Sequence, residues 1–178
     1  MKRYQLLLTA LLFSTGIAYS QTNAIDTAVA AANLKKSADN MAKLFIEKDY
    51  THYVKYINPK IVANTGGNDK MIVVLKQSMD DMQSKGIVIK GLSIGNLSPI
   101  VITKTGLQSV VQELLTLKMN EGRVEATSYL IALSTDKGKT WTFIDTSGKP
   151  LAEMQKMFPL LSNELVIPEK QQPQFFRE

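Results

Sequence analysis

The chain of 178 residues contains no cysteine, one histidine and one tryptophan. Without cysteine it forms no disulfide, no thiolate metal site and no thiol nucleophile, and it offers no attachment point for a lipoprotein's lipid, so no lipid anchor is expected. With His52 as the only histidine, a histidine-cluster metal site is excluded. An all-oxygen calcium loop is missing too, since Asp80-Asp81 runs into Met82 rather than into spaced acids around a glycine. No metal and no cofactor are expected. A serine nucleophile would need a base in reach, and there is no Gly-x-Ser-x-Gly elbow. Gly66-Gly67 is too short for a phosphate-cradling loop and suits a turn ahead of a helix. Basic residues outnumber acidic ones 21 to 16, yet beyond residue 20 only Lys35 and Lys36 are adjacent. That scatter leaves no basic stripe for a nucleic-acid groove, and nucleic acid is not an expected partner. Nor is there an apolar run of about 20 residues, the length a membrane-spanning helix requires.

What is present begins at the N-terminus. Met1-Lys2-Arg3 precedes an apolar run from Leu6 to Phe13 and small residues closing on Ala18-Tyr19-Ser20, the order of a secretory signal peptide. Residues 1–20 are therefore expected to be removed, and a mature chain starting at Gln21 to be exported to the periplasm or secreted. Loss of Lys2 and Arg3 leaves 19 basic against 16 acidic side chains, a net charge of +3. The length suits one domain, assigned to residues 21–158. Residues 159–178, ending in a stretch with two prolines, three glutamines and no periodicity after Val166, read as an extended tail. A further reading lays Leu165 to Phe176 along the sheet edge of a neighbouring subunit.

Between these ends the hydrophobic period changes once. From Asp26 to Lys48 the stripe Leu34, Ala38, Met41 and Phe45 predicts one long amphipathic helix. Asp49 caps a short second helix that Asn58-Pro59 stops, and Asn68 caps a third running through Met71, Leu75, Met79 and Met82 to Gly86. After Gly86 β-branched residues dominate five segments: 86–94, 100–103, 107–119, 123–134 and 140–145. Asn120-Glu121-Gly122 and the stretch 135–139 are hairpin turns, so the strands form an antiparallel meander. Lys149-Pro150 opens a last short helix carrying Leu151, Met154 and Phe158. Helices first and a meander last make an α+β domain, with helices packed on one face of a curved antiparallel sheet.

That element order, the bend Lys48-Asp49-Tyr50-Thr51-His52-Tyr53 and Gly66-Gly67 ahead of the third helix together resemble the α+β cone of nuclear transport factor two, ketosteroid isomerase and SnoaL-like proteins. The resemblance covers roughly residues 26–158. It implies a cystatin-like, strongly curved sheet wrapped around a cavity, with a mouth near Tyr50, Tyr53, Trp141 and Phe143 that would suit a small apolar ligand. For isomerase-like proton transfer it implies an acidic base and an oxyanion donor inside the cone. Glu113, which interrupts the apolar face Leu107, Val111, Leu115 and Leu117, is one candidate base, with Asp145 and His52 as others; Tyr53, Tyr56 and Tyr129 are donors. Each has a plainer alternative: a surface histidine, a solvent-facing acid, an aromatic core.

Ser134-Thr135-Asp136-Lys137-Gly138-Lys139-Thr140-Trp141 matches the Asp-box, Ser-x-Asp-x-Gly-x-Thr-Trp, seen in sialidases and other β-proteins. An aspartate bonding its own turn, a glycine at positive φ and a tryptophan folding back make it a structural staple. One box in a chain this short leaves no room for a propeller. The leading expectation is an exported, non-catalytic domain that binds a small apolar ligand or a partner protein, with homodimerisation through the sheet as one form of partnership. The alternative is a cofactor-free isomerase or lyase using an acidic base in the cone.

Overall fold

The computed structural model describes residues 25–177; the signal-peptide reading of residues 1–20 lies outside them. Helix α1 spans Thr27–Ile46, and the Asp26 carboxylate opens it by accepting hydrogen bonds from the backbone N–H groups of Ala28 and Val29. Its buried stripe is Ala30, Leu34, Ala38 and Met41, spaced for one face of a helix. The Asp49 side chain accepts from the backbone of His52 and opens α2, Tyr50–Tyr53, which tightens into a 3-10 turn over Val54–Tyr56. The short helix stops ahead of Asn58-Pro59 as expected, with Ile57 extended, but the same pair also starts a helix beyond those the sequence predicts. The Asn58 side chain accepts from Lys60 N and Pro59 takes the first turn of a further helix, α3, Pro59–Thr65. Gly66, at φ 100°, closes α3, and Gly67 precedes α4, Asn68–Ser84, so that Asn68 is the first residue inside the helix rather than its cap.

The sheet is antiparallel, open and built on two long strands. These are β3, Gly106–Met119, and β4, Gly122–Ser134, paired from Met119 opposite Gly122 to Leu107 opposite Ser134. Both β1, Val88–Leu97, and β2, Val101–Thr103, pair with β3, one beyond the other. Pro99, which has no N–H to donate, falls in the gap between them. Ser98 carries the ladder across: its N–H donates to Val110 O and its Oγ accepts from Val110 N, both at 2.8 Å. The other edge of β4 also takes two strands, β5 (Thr142–Asp145) at one end and β6 (Gln174–Arg177) at the other. The C-terminal tail thus adds a strand to the sheet of its own chain rather than lying along a neighbour's sheet edge.

Alternation along β3 and β4 gives the sheet two apolar faces. On the inner face Leu107, Val111, Leu130 and Ala132 pack with Trp141 and Phe143 beneath α1. On the outer face Val110, Tyr129 and Ile131 are covered by Met154 of α5 (Leu151–Met157) and by Leu161 and Leu165 that follow it. Helices α1 and α5 therefore take opposite faces, and α3 reaches the outer cluster through Ile61. Between the 3-10 turn, α3 and α4, Val54, Val62 and Met71 form a third, smaller cluster.

The Asp-box closes the turn between β4 and β5. Asp136 Oδ1 accepts from Ser134 Oγ at 2.8 Å, Lys139 N at 3.1 Å and Thr140 N at 2.9 Å, while Oδ2 accepts from Thr140 Oγ1 at 2.7 Å. Burial alone would raise the Asp136 carboxyl, but these donors outweigh it and hold the group below its ordinary value. Gly138, at φ 82°, lies against α1 so closely that a Cβ there would come within 2.5 Å of the Ala30 Cβ. Its carbonyl accepts from Asn33 Nδ2 at 3.0 Å and Trp141 Nε1 at 3.2 Å, tying the turn to the helix and to the core at once.

Replacing Asp136 with alanine should therefore cost about 1–3 kcal/mol, a drop of roughly 2–4 °C in Tm for each kcal/mol in a chain of this size. Because its folded-state pKa is depressed, Asp136 contributes this stability at neutral pH and loses it as the pH falls through the carboxylate range. The difference in Tm between the parent and Asp136→Ala, measured by calorimetry from pH 7 to pH 3, should shrink accordingly.

Candidate functional site

The inner face of the sheet also carries a carboxylic acid. Glu113 stands opposite Ser128 on β4 and opposite Ile94 on β1, in the same alternating row as Val111 and Leu115. Ser128 Oγ donates to Glu113 Oε2 at 2.9 Å. Burial pushes the Glu113 carboxyl up to about 7; the Ser128 hydroxyl works against that rise and the negative charge of Asp145 works with it. Asp145 pairs with Leu130, two residues along β4 from Ser128, and so shares the inner face. It is exposed and accepts from Ser147 N at 2.7 Å, capping the turn after β5. Tyr53 of α2 packs against the inner core. Its burial, with the charges of Glu113 and Asp145, raises the phenol well above its usual value, so it remains a proton donor throughout the range in which Glu113 titrates.

The structure thus brings Glu113, Asp145 and Tyr53 together and leaves His52 apart. The imidazole is exposed, with Nδ1 at 2.7 Å from Asp49 Oδ2. Hydrogen bonds from the His52 side chain and backbone hold Asp49 below the usual carboxylate range. Tyr50 is buried edge-on to Phe45, and its phenol is raised by burial and by Asp80. It lines a cavity of about 60 Å3 with Met79, Met82 and Ile89, room for little more than water. Trp141 and Phe143 are packed in the inner core, 2 % and 4 % exposed.

A larger apolar cavity, of about 230 Å3, opens where β3 begins and β4 ends. Its apolar wall is formed by Leu107, Leu133, Phe158, Pro159, Leu160 and Leu161. Asn58, Lys60, Thr105, Gln108, Ser134 and Thr135 are its polar lining residues, and Glu113 does not line it. Buried Gln108 fixes the rim: Nε2 donates to Leu160 O and Oε1 accepts from Ser162 N, both at 2.8 Å. Both halves of the amide are satisfied, as burial demands, and the segment after α5 is thereby clamped to β3. Sequence reasoning missed this cavity because its walls come from four distant stretches. The signal within reach was Phe158-Pro159-Leu160-Leu161, an apolar cluster immediately after a short helix.

The fold and these sites define an α+β domain with an acid on one sheet face and an apolar cavity beside the other. No protein-family model matches the chain, and no curated protein is significantly similar to it. Among the described residues no helix is long and apolar enough to cross a membrane.

A carboxyl whose pKa rises from 4.5 to about 7 on folding binds more protons folded than unfolded, so its contribution to stability falls as the pH rises through that interval. Glu113→Gln, which keeps an acceptor for Ser128, should raise Tm at pH 8 by roughly 2–4 °C, have little effect at pH 4, and flatten the stability profile between. Thermal melts at half-unit steps of pH check this.

Proposed function

We propose that this is an exported, non-catalytic domain of the α+β cone type that binds a small apolar ligand, and that the 230 Å3 cavity beside α5 is the binding site. The observation that carries the reading is the cavity's construction. Leucine and phenylalanine walls surround a space larger than the roughly 150 Å3 that holds benzene in an engineered core, and a buried glutamine holds the rim in place. Export is supported by the order of charge, apolar run and small residues over 1–20, and the cone by element order.

The second reading, a cofactor-free isomerase or lyase, is supported by Glu113. A carboxyl raised to about 7 by burial, on the sheet face that Tyr53 packs against, has the pKa of a general base, and the neutral phenol is a candidate donor. Against it stands access, for Glu113 lines neither the 60 Å3 nor the 230 Å3 cavity.

Titration of the mature chain with indole, followed by amide NMR, separates the two. Binding in the cavity should move the signals of Gly106–Gln108, Leu133–Thr135 and Phe158–Leu161, with a Kd of about 1 mM or tighter. Shifts centred on Tyr53, Glu113 and Ser128 would transfer the site to the inner face, and an unperturbed spectrum would contradict both readings.

A further inference from the structure

The cavity beside α5 carries one charge, and it is positive. Lys60, near the start of α3, lines it, while no acidic residue does. The ammonium donates to the carbonyl of Met157 at 2.7 Å and stands 5.1 Å from the centre of the Phe158 ring. These two contacts hold the head of an otherwise mobile side chain against the end of α5. An ammonium has three protons to donate, so the Met157 carbonyl leaves two. The ion pairs of the described residues join Lys35 to Asp39, Lys43 to Glu47, His52 to Asp49 and Arg123 to Glu125; Lys60 is in none of them.

Charge and shape together discriminate among ligands. A cationic ligand would be repelled by Lys60 with no carboxylate on the wall to compensate. A wholly apolar ligand would fill the space but leave the held ammonium facing only water. A molecule with an apolar body and a single anionic head satisfies both, and Thr135, which also lines the cavity, carries a further hydroxyl. The volume has room for a chain of about eight carbons or for a phenyl ring on a short linker, by comparison with the roughly 150 Å3 that encloses benzene.

Resting on the binding reading above, we infer that the ligand of this cavity is a small amphipathic carboxylate, a medium-chain fatty acid or an arylalkanoic acid. Its apolar body lies among Leu133, Phe158 and Leu161, and its carboxylate meets Lys60. Lys60 thereby sets specificity, and the leucine and phenylalanine walls supply the burial.

The test compares octanoate with octan-1-ol, which share a chain and differ in charge, by calorimetric and amide-NMR titration of the mature protein and of Lys60→Met and Lys60→Arg. Octanoate should bind the parent about fivefold more tightly than octanol, the scale expected of one solvent-accessible ion pair, and the preference should weaken in high salt. Lys60→Met should abolish the preference while leaving octanol affinity within about twofold, which also shows that the cavity is intact; Lys60→Arg should restore most of it. Equal binding of octanoate and octanol, with no effect of Lys60→Met, would overturn the carboxylate assignment and leave the cavity reading standing. Failure of both to bind, or signals moving away from Phe158–Leu161, would overturn the two together.

Discussion

Thirteen residue pairs, from Leu107 opposite Ser134 to Met119 opposite Gly122, join β3 to β4, and the placement of every other layer depends on that register. Because side chains alternate, the pairing sends Leu107, Val111, Leu130 and Ala132 toward α1 and Val110, Tyr129 and Ile131 toward α5. A slip of one residue by β3 would exchange its two faces and put Glu113 on the side of α5. The turn at Asn120-Glu121 sets the register at one end. At the other, the Asp-box bonds around Asp136 close the loop that returns β5 to the edge of β4. Each of the two sites follows from this hairpin: the Glu113 cluster from its inner row, and the apolar cavity from its outer end.

Much of this was legible in the sequence where one local rule decided the outcome. The Leu34, Ala38, Met41 spacing gave away α1, and the alternating run from Leu107 onward gave away β3. Legibility failed where one residue pair supports opposite outcomes. Asn58-Pro59 reads as a stop for the preceding helix, and that helix does stop there, yet asparagine is equally a cap and proline equally a first-turn residue, so the same pair also begins α3. It also failed where side chains carry no pattern. Gln174–Arg177 joins the sheet through backbone hydrogen bonds that any residue other than proline can make, with Phe176 stacked under Arg123 as the main side-chain contribution. For the sites, the odd acid in an apolar row marked Glu113 at once. The partnership with Tyr53 and Asp145, and the cavity built from α3, β3, β4 and the chain after α5, depend on tertiary placement that no local spacing encodes.

The two faces of the sheet treat charge in opposite ways. On the inner face a carboxyl is drawn into apolar surroundings with a hydroxyl and a tyrosine for company, and it responds by holding its proton to near neutrality. On the outer side a lysine head is held at the rim of an apolar space by a carbonyl and an aromatic ring, in water and fully able to meet an anion. The first arrangement costs stability above neutral pH, and Glu113 lines neither of the two cavities described above. The second leaves space and an unmatched charge in the same place, which is the combination that ligand recognition requires.

The most direct measurement is a crystal structure of the mature chain grown with 3-phenylpropanoate. The account predicts the phenyl ring between Leu133, Phe158 and Leu161 and a carboxylate oxygen within hydrogen-bonding distance of Lys60 Nζ. A probe ordered on the inner face beside Glu113 and Tyr53, or a cavity closed by Leu160 and Phe158 with no probe inside, would contradict it.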